Sequence, residues 1–236
     1  MSNDLSADLK TKATICWRAS RGTLLFLGLM MVFRSACADW VVVPSGSMNP
    51  TVIEGDRVLV DKRAYGVRIP FTLARIGDVG DPRRGDVVVL ESPETDITLL
   101  KRVIAVPGDT VAMQDERLII NGVAARYEML PPETGDALLS TVRALQPVYV
   151  REELLGIAHA TMRIPRVQSR SSFAAVTVPP GRYLVMGDNR DNSQDSRYFG
   201  LVRRDAIFGK AMRVVVSLDP EHFHLPRAGR WLSPAL

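Results

Sequence analysis

Cysteine is nearly missing from the 236 residues. Cys16 and Cys37 both precede residue 38, and nothing after them carries a thiol. That placement excludes a disulfide framework and any thiolate-built zinc site in the body of the protein. Histidine is almost as scarce. His159, His222 and His224 stand in no HExxH or comparable spacing, so nothing points to a metal or another cofactor. His159 lies in an irregular stretch and the other two in a proline-containing tail, which reads them as surface residues. The net charge is only +4, and the basic residues are scattered rather than clustered, which argues against a nucleic-acid surface. Lysine is rare among those basic residues: Lys10, Lys12, Lys62, Lys101 and Lys210 are the whole set, so a lysine among apolar neighbours is conspicuous. What remains is ordinary for a globular chain, with 46% apolar and 24% charged residues. The length accommodates one large domain, or one domain with an anchor or insertion.

No apolar run reaches the roughly 20 residues that a helix needs to span a bilayer. The nearest approach is GTLLFLGLMMVF, residues 22–33, preceded by Lys10, Lys12, Arg18 and Arg21. Apolar character resumes after Arg34, and a span over 22–43 follows if Arg34 snorkels to the headgroups. The preceding positive charges then put residues 1–21 in the cytoplasm and the body outside. The same stretch also has the form of a cleavable secretory signal, ending at Ala36-Cys37-Ala38 and releasing a chain that begins at Asp39.

From Val41 the pattern is that of short strands. DRVLVDK alternates apolar and polar residues, RRGDVVVLESP is a buried-strand run closed by Pro93, and TLLKRVIAVPGDTVAM holds two strands turned at Pro107-Gly108-Asp109. Asn121-Gly122 marks a hairpin turn. Residues 125–175 have weak periodicity and read as an inserted subdomain, with short helices expected over 136–145 and 150–159. Strand patterning returns in AAVTVPPGRYLVMGDN and continues through GLVRRDAIFGKAMRVVVSLD. Short strands at this spacing predict a mainly β sandwich or partial barrel.

Three stretches carry chemistry. In VVVPSGSMNPT, Pro44 and Pro50 bracket two serines in a tight bend between extended segments, with Gly46 suited to a left-handed or closely packed backbone. The bend is either a polar connection or a device that presents a hydroxyl, and the second role requires a base elsewhere. Lys101, in ITLLKRVIAV, is the candidate base. In a strand Lys101 and Arg102 point to opposite faces among apolar neighbours, either to solvent from an edge or into the protein. Burial lowers a lysine pKa from about 10.4 and leaves a neutral amine able to take a serine proton. The third stretch, GDNRDNSQDSRYFG, is either a solvated loop or a rigid polar scaffold beside a reacting lysine.

In this order, the three stretches PSGSMNPT, RGDVVVL…LLKRVIAVPGD and GDNRDNSQDSRYFG resemble the type I signal peptidases, membrane-anchored Ser/Lys serine proteases. The resemblance spans residues 41 to about 125 and 176–216. It implies that Ser47, the serine before methionine, is the nucleophile and Lys101 the general base. It also implies that Ser45 shares an oxyanion hole with the backbone N–H of Ser47, and that Ser193 orients the lysine amine. Asp188, Arg102, Asp195 and Arg197 brace the site as the pairs Asp188–Arg102 and Asp195–Arg197. The implied fold is a β-rich catalytic core of antiparallel sheets (41–124 and 176–236) carrying the insertion 125–175, behind an N-terminal membrane helix (22–43). The implied partners are membrane lipid and the signal peptides of preproteins, with small residues one and three positions before the cut. The implied location is single-pass in the inner, cytoplasmic membrane with the catalytic domain on the periplasmic side. A specialised pilin- or conjugation-associated peptidase with the same Ser/Lys pair is the alternative. A self-cleaving repressor-type protease would need a DNA-binding helical domain where this chain has an apolar segment, and a non-catalytic anchored β-domain is the remaining reading.

Overall fold

The computed structural model describes residues 20–32, 34, 37–68, 75–77, 79–95 and 97–233. The expected cytoplasmic segment up to residue 19, and Ala36 of the Ala36-Cys37-Ala38 motif, lie outside the described residues. Residues 20–32 form helix α1, and Leu24, Leu25, Phe26, Leu27, Leu29 and Met31 on it are all more than half exposed. Among the described residues no helix is long and apolar enough to cross a membrane. The helix expected over 22–43 stops short of residue 38, because Ala38–Val42 form strand β1 paired with β2 (Asp56–Asp61). Run together, β-branched Val41, Val42 and Val43 suit that pleated, half-buried surface better than a helix. At the junction Arg34 pairs with Asp39 at 2.7 Å and stacks over Trp40.

The remaining strands follow in chain order: β3 (Val67–Arg68), β4 (Arg75–Ile76), β5 (Val87–Glu91), β6 (Thr98–Ala105), β7 (Thr110–Gln114), β8 (Arg117–Ile120), β9 (Val123–Ala124), β10 (Arg126–Met129), β11 (Val148–Leu154), β12 (Ile157–Arg163), β13 (Phe173–Thr177), β14 (Arg182–Met186), β15 (Val202–Arg203), β16 (Ile207–Asp219) and β17 (Leu225–Pro226). All their pairings are antiparallel, so the protein is mainly β, as expected. The main sheet has the order β1-β2-β16-β5-β6-β14-β15, with β17 on β16. Smaller sheets are β13-β7-β8-β9, β10-β11-β12 and the pair β3-β4.

Local chemistry accounts for several of these elements. Asn121 and Gly122 both have positive φ, as a two-residue hairpin turn requires, and join β8 to β9. Within 125–175 the helix expected at 136–145 is reduced to α2 (Ser140–Arg143). Residues 150–159 are not helical. They belong to the hairpin β11–β12, turned at Leu155-Gly156, both at positive φ. Glu and Leu in REELL favour a helix locally, but the alternating burial of Val150, Glu152 and Leu154 against a partner strand overrides that preference.

Two apolar clusters position the site. Val43, Met48, Val52, Val58, Val87, Ala211 and Val214 pack beneath the serine bend, where Met48 is 1% exposed. Ile53, Leu138, Tyr149, Met162 and Ile164 join the segment after the bend to the β10–β12 sheet. β6 is an interior strand, with β5 on one edge and β14 on the other from Arg102 onward. Both of its faces are covered there, which leaves Lys101 2% and Arg102 3% exposed.

Candidate active site

The serine bend folds as a 3-10 turn, Gly46–Met48, between Pro44 and Pro50. Gly46 is needed for space rather than for a left-handed backbone, since a Cβ there would collide with the side chains of Glu54 and Asn49. The turn places Ser47 Oγ 2.8 Å from Lys101 Nζ, which also donates to the Leu100 carbonyl at 3.1 Å. Burial brings the Lys101 pKa down to about 8, against the opposing pull of Asp195 and Asp188. At neutral pH about a tenth of such an amine is unprotonated, against roughly one part in three thousand for an exposed lysine.

Within the polar stretch after β14, residues 187–190, Ser193 and residues 195–197 are buried. Asp188 receives Arg102 Nε at 2.8 Å and Nη2 at 2.7 Å. Asp195 receives Arg197 Nε at 2.9 Å and Nη2 at 2.8 Å, and caps helix α3 (Ser196–Phe199). Asp195 also accepts the Gly187 N–H at 3.0 Å. Burial pushes both carboxyls up, but the paired guanidiniums more than offset it and hold them below the usual carboxylate range. Each pair is close to neutral overall, so neither forces Lys101 to stay charged.

Ser193 is buried in this stretch but makes no hydrogen bond to Lys101 among the described residues. Its hydroxyl is buried with no hydrogen-bond partner among the described residues. Ser45 is extended and exposed, with its side chain not engaged in capping the turn. Ser47 lies in the first turn, where backbone N–H groups have no intrahelical partner. Beside them a cleft of about 230 Å³ is walled by Val41, Val42, Pro44, Leu99, Leu100 and Met48 and reaches Ser47 and Lys101.

Several residues of this site are not evident from the sequence pattern. Asn189 donates its N–H to the Ser47 carbonyl at 3.1 Å and its Nδ2 to the Gly46 carbonyl at 3.0 Å. Gly187 lies against the same turn, where a Cβ would collide with Ser193 Oγ and the Ser47 carbonyl oxygen. His159 is not a surface residue: its side chain is 10% exposed and its Nε2 lies 3.5 Å from Glu152 and 3.9 Å from Asp188. Strand β12 carries it into the space behind Arg102, where burial lowers its pKa to about 4 and keeps it neutral. His222 is exposed, as expected, and so is His224. The one signal for Asn189 and Gly187 was their place inside the polar stretch; for His159 there was none.

The family model for signal peptidase, peptidase S26, matches residues 16–216. Signal peptidase I of Pseudomonas aeruginosa is 38% identical over 218 residues, covering 86% of this chain and 74% of its own. The Pseudomonas fluorescens enzyme is 36% identical over 222 residues with the same coverage. Signal peptidase I of Aquifex aeolicus is 32% identical over 246 residues, covering 90% of this chain and 91% of its own. With a serine and a buried lysine in hydrogen-bond contact, and with the family model running through all three motif stretches, the chain belongs to the signal peptidase I family of serine hydrolases, peptidase S26.

Proposed function

We propose that the protein is a membrane-anchored endopeptidase that removes N-terminal signal peptides from exported preproteins, with Ser47 as nucleophile and Lys101 as general base. The observation that carries this reading is the 2.8 Å contact between Ser47 Oγ and a lysine whose burial lowers its pKa to about 8. Neutral Lys101 takes the Ser47 proton as Oγ attacks the scissile carbonyl. The oxyanion that forms is stabilised by the Ser45 hydroxyl and the Ser47 N–H, neither of which is committed to holding the turn. Lys101 returns the proton to the leaving amine, then takes one from the water that hydrolyses the acyl-enzyme. The Asp188–Arg102 and Asp195–Arg197 pairs brace the site, and Ser193, whose buried hydroxyl lies next to Gly187 with no hydrogen-bond partner among the described residues, orients the Lys101 amine.

The substrate chain binds in the cleft beside β1, whose outer edge pairs with no strand of the main sheet among the described residues and can add one. The shallow valine and leucine walls favour small side chains one and three positions before the cut. Residues 41–124 and 176–236 form the catalytic core, and 125–175, which contains the β10–β12 sheet, is the insertion. Exposed apolar α1, behind Lys10, Lys12, Arg18 and Arg21, is part of the anchor, with the body on the periplasmic side of the cytoplasmic membrane and lipid as a partner. The test is cleavage of a preprotein by the purified full-length chain in detergent. Ser47→Ala and Lys101→Arg are each expected to be folded and inactive, since guanidinium does not lose its proton at working pH. A folded Lys101→Arg protein cleaving at near wild-type rate would sink the Ser/Lys mechanism.

A further inference from the structure

The turn that presents Ser47 receives no side-chain cap from Ser45. Part of its backbone is held instead from outside, by Asn189, whose N–H and Nδ2 bond the Ser47 and Gly46 carbonyls. What holds Asn189 is therefore part of what aims the nucleophile. The segment 188–190 runs beside β12 as a short parallel bridge at Met162: the Met162 N–H donates to the Asp188 carbonyl at 2.8 Å, and the Arg190 N–H to the Met162 carbonyl at 2.9 Å. In such an extended segment alternate side chains point to opposite sides. Asn189 faces the serine turn, while Asp188 and Arg190 reach away from it, Asp188 to Arg102 on the catalytic strand and Arg190 to Glu152 in the insertion.

The second of these anchors is built with unusual care. Arg190 Nη1 and Nη2 each lie 2.6 Å from a different oxygen of Glu152, and the two residues are 3% and 1% exposed. Tyr127 Oη, from β10, donates to the same carboxylate at 2.8 Å. Burial raises the Glu152 carboxyl, but Arg190 outweighs it and keeps the group ionised. Two buried charges with bidentate geometry define direction as well as contact. Two strands of the insertion, β10 through Tyr127 and β11 through Glu152, thus meet at one carboxylate that holds Arg190, the neighbour of Asn189.

We propose that Glu152 is a positioning residue for the peptidase reaction: through Arg190 and Asn189 it fixes the backbone of the Gly46–Met48 turn, and the insertion serves as the backing of the nucleophile. The inference rests on Ser47 being that nucleophile. Glu152 touches neither the cleft walls nor Lys101, and it is not among the groups that set the Lys101 pKa. Its loss therefore acts on the geometry of attack, which is sensitive to displacements of an ångström, and not on substrate binding.

The experiment is steady-state cleavage of a preprotein by the full-length chain carrying Glu152→Gln, which keeps the shape and removes the charge opposite Arg190. The expected result is a kcat lowered by about ten-fold or more, KM within about two-fold of wild type, and an unmoved acidic limb of the pH profile. A purely structural role would lower the unfolding midpoint and leave the kcat of the folded fraction intact, and that outcome overturns the proposal, as does a change confined to KM. If Glu152→Gln does not fold, Tyr127→Phe decides. A smaller kcat loss at unchanged KM supports the proposal, and wild-type kcat refutes it. Ser47→Ala in the same assay separates the two levels. Wild-type activity there removes the nucleophile reading itself, whereas an inactive Ser47→Ala beside an unaffected Glu152→Gln removes only the role of Glu152.

Discussion

Replacing Lys101 by methionine turns its burial into a stability measurement. The side chain is 2% exposed, and burial brings its pKa from 10.5 down to about 8. Such a depressed lysine disfavours folding at low pH, because the folded state must carry a charge it binds poorly. Between pH 8 and 10.5 the unfolded chain holds a proton that the folded chain has released, so stability rises with pH through that window. The cost of keeping the charge is about 3 kcal/mol at pH 7 and about 1 kcal/mol at pH 9.5. Methionine fills a similar volume without a charge, but gives up the bonds to Ser47 Oγ and the Leu100 carbonyl, worth about 1 kcal/mol each. Lys101→Met is therefore expected to be inactive, yet about 1 kcal/mol more stable than wild type at pH 7. That advantage should shrink by about 2 kcal/mol by pH 9.5 and reverse in sign. Urea titrations of both proteins in the same detergent, read by tryptophan fluorescence, give the difference directly, and contributions from other titrating groups cancel in it. A stability difference that stays flat between pH 7 and 9.5 would refute a lysine titrating near 8, and with it the physical basis of the general base.

Ser45→Ala should lower kcat by about 2.7–4 kcal/mol of transition-state stabilisation with KM nearly unchanged, because the hydroxyl meets a charge that exists only during reaction; a loss confined to KM would count against that role. Gly187→Ala puts a methyl group against the Ser47 carbonyl and Ser193 and should cost about a hundred-fold in kcat; near-normal turnover would show that the turn yields freely. For topology, the full-length chain should fractionate with membranes, and recovery of a soluble form beginning at Asp39 would show that Ala36-Cys37-Ala38 is a processing site.

What the sequence settled by itself was local. A two-residue period sends Lys101 and Arg102 to opposite faces of β6, and Asn121-Gly122 supplies the positive φ values of its turn, because both depend only on backbone geometry within a few residues. The three polar stretches were likewise legible, since a serine between prolines, a lysine among valines and leucines, and a dense run of Asp, Asn and Arg are each anomalies visible in place. Burial was not. Whether Lys101 and Arg102 met solvent depended on what covered the two faces of β6: Ser47, 54 residues from Lys101, and Asp188, 86 residues from Arg102. The same non-local pairing made 150–159 a hairpin against its helical composition and carried His159 from a supposed surface into contact range of Asp188. Tertiary packing also decided that Ser193 is buried without a bond to Lys101, and that Asn189 and Gly187 lie against the serine turn. Hydrogen bonds and pKa shifts act over a few ångströms, and only the packed sheets determine which distant residues come within that range.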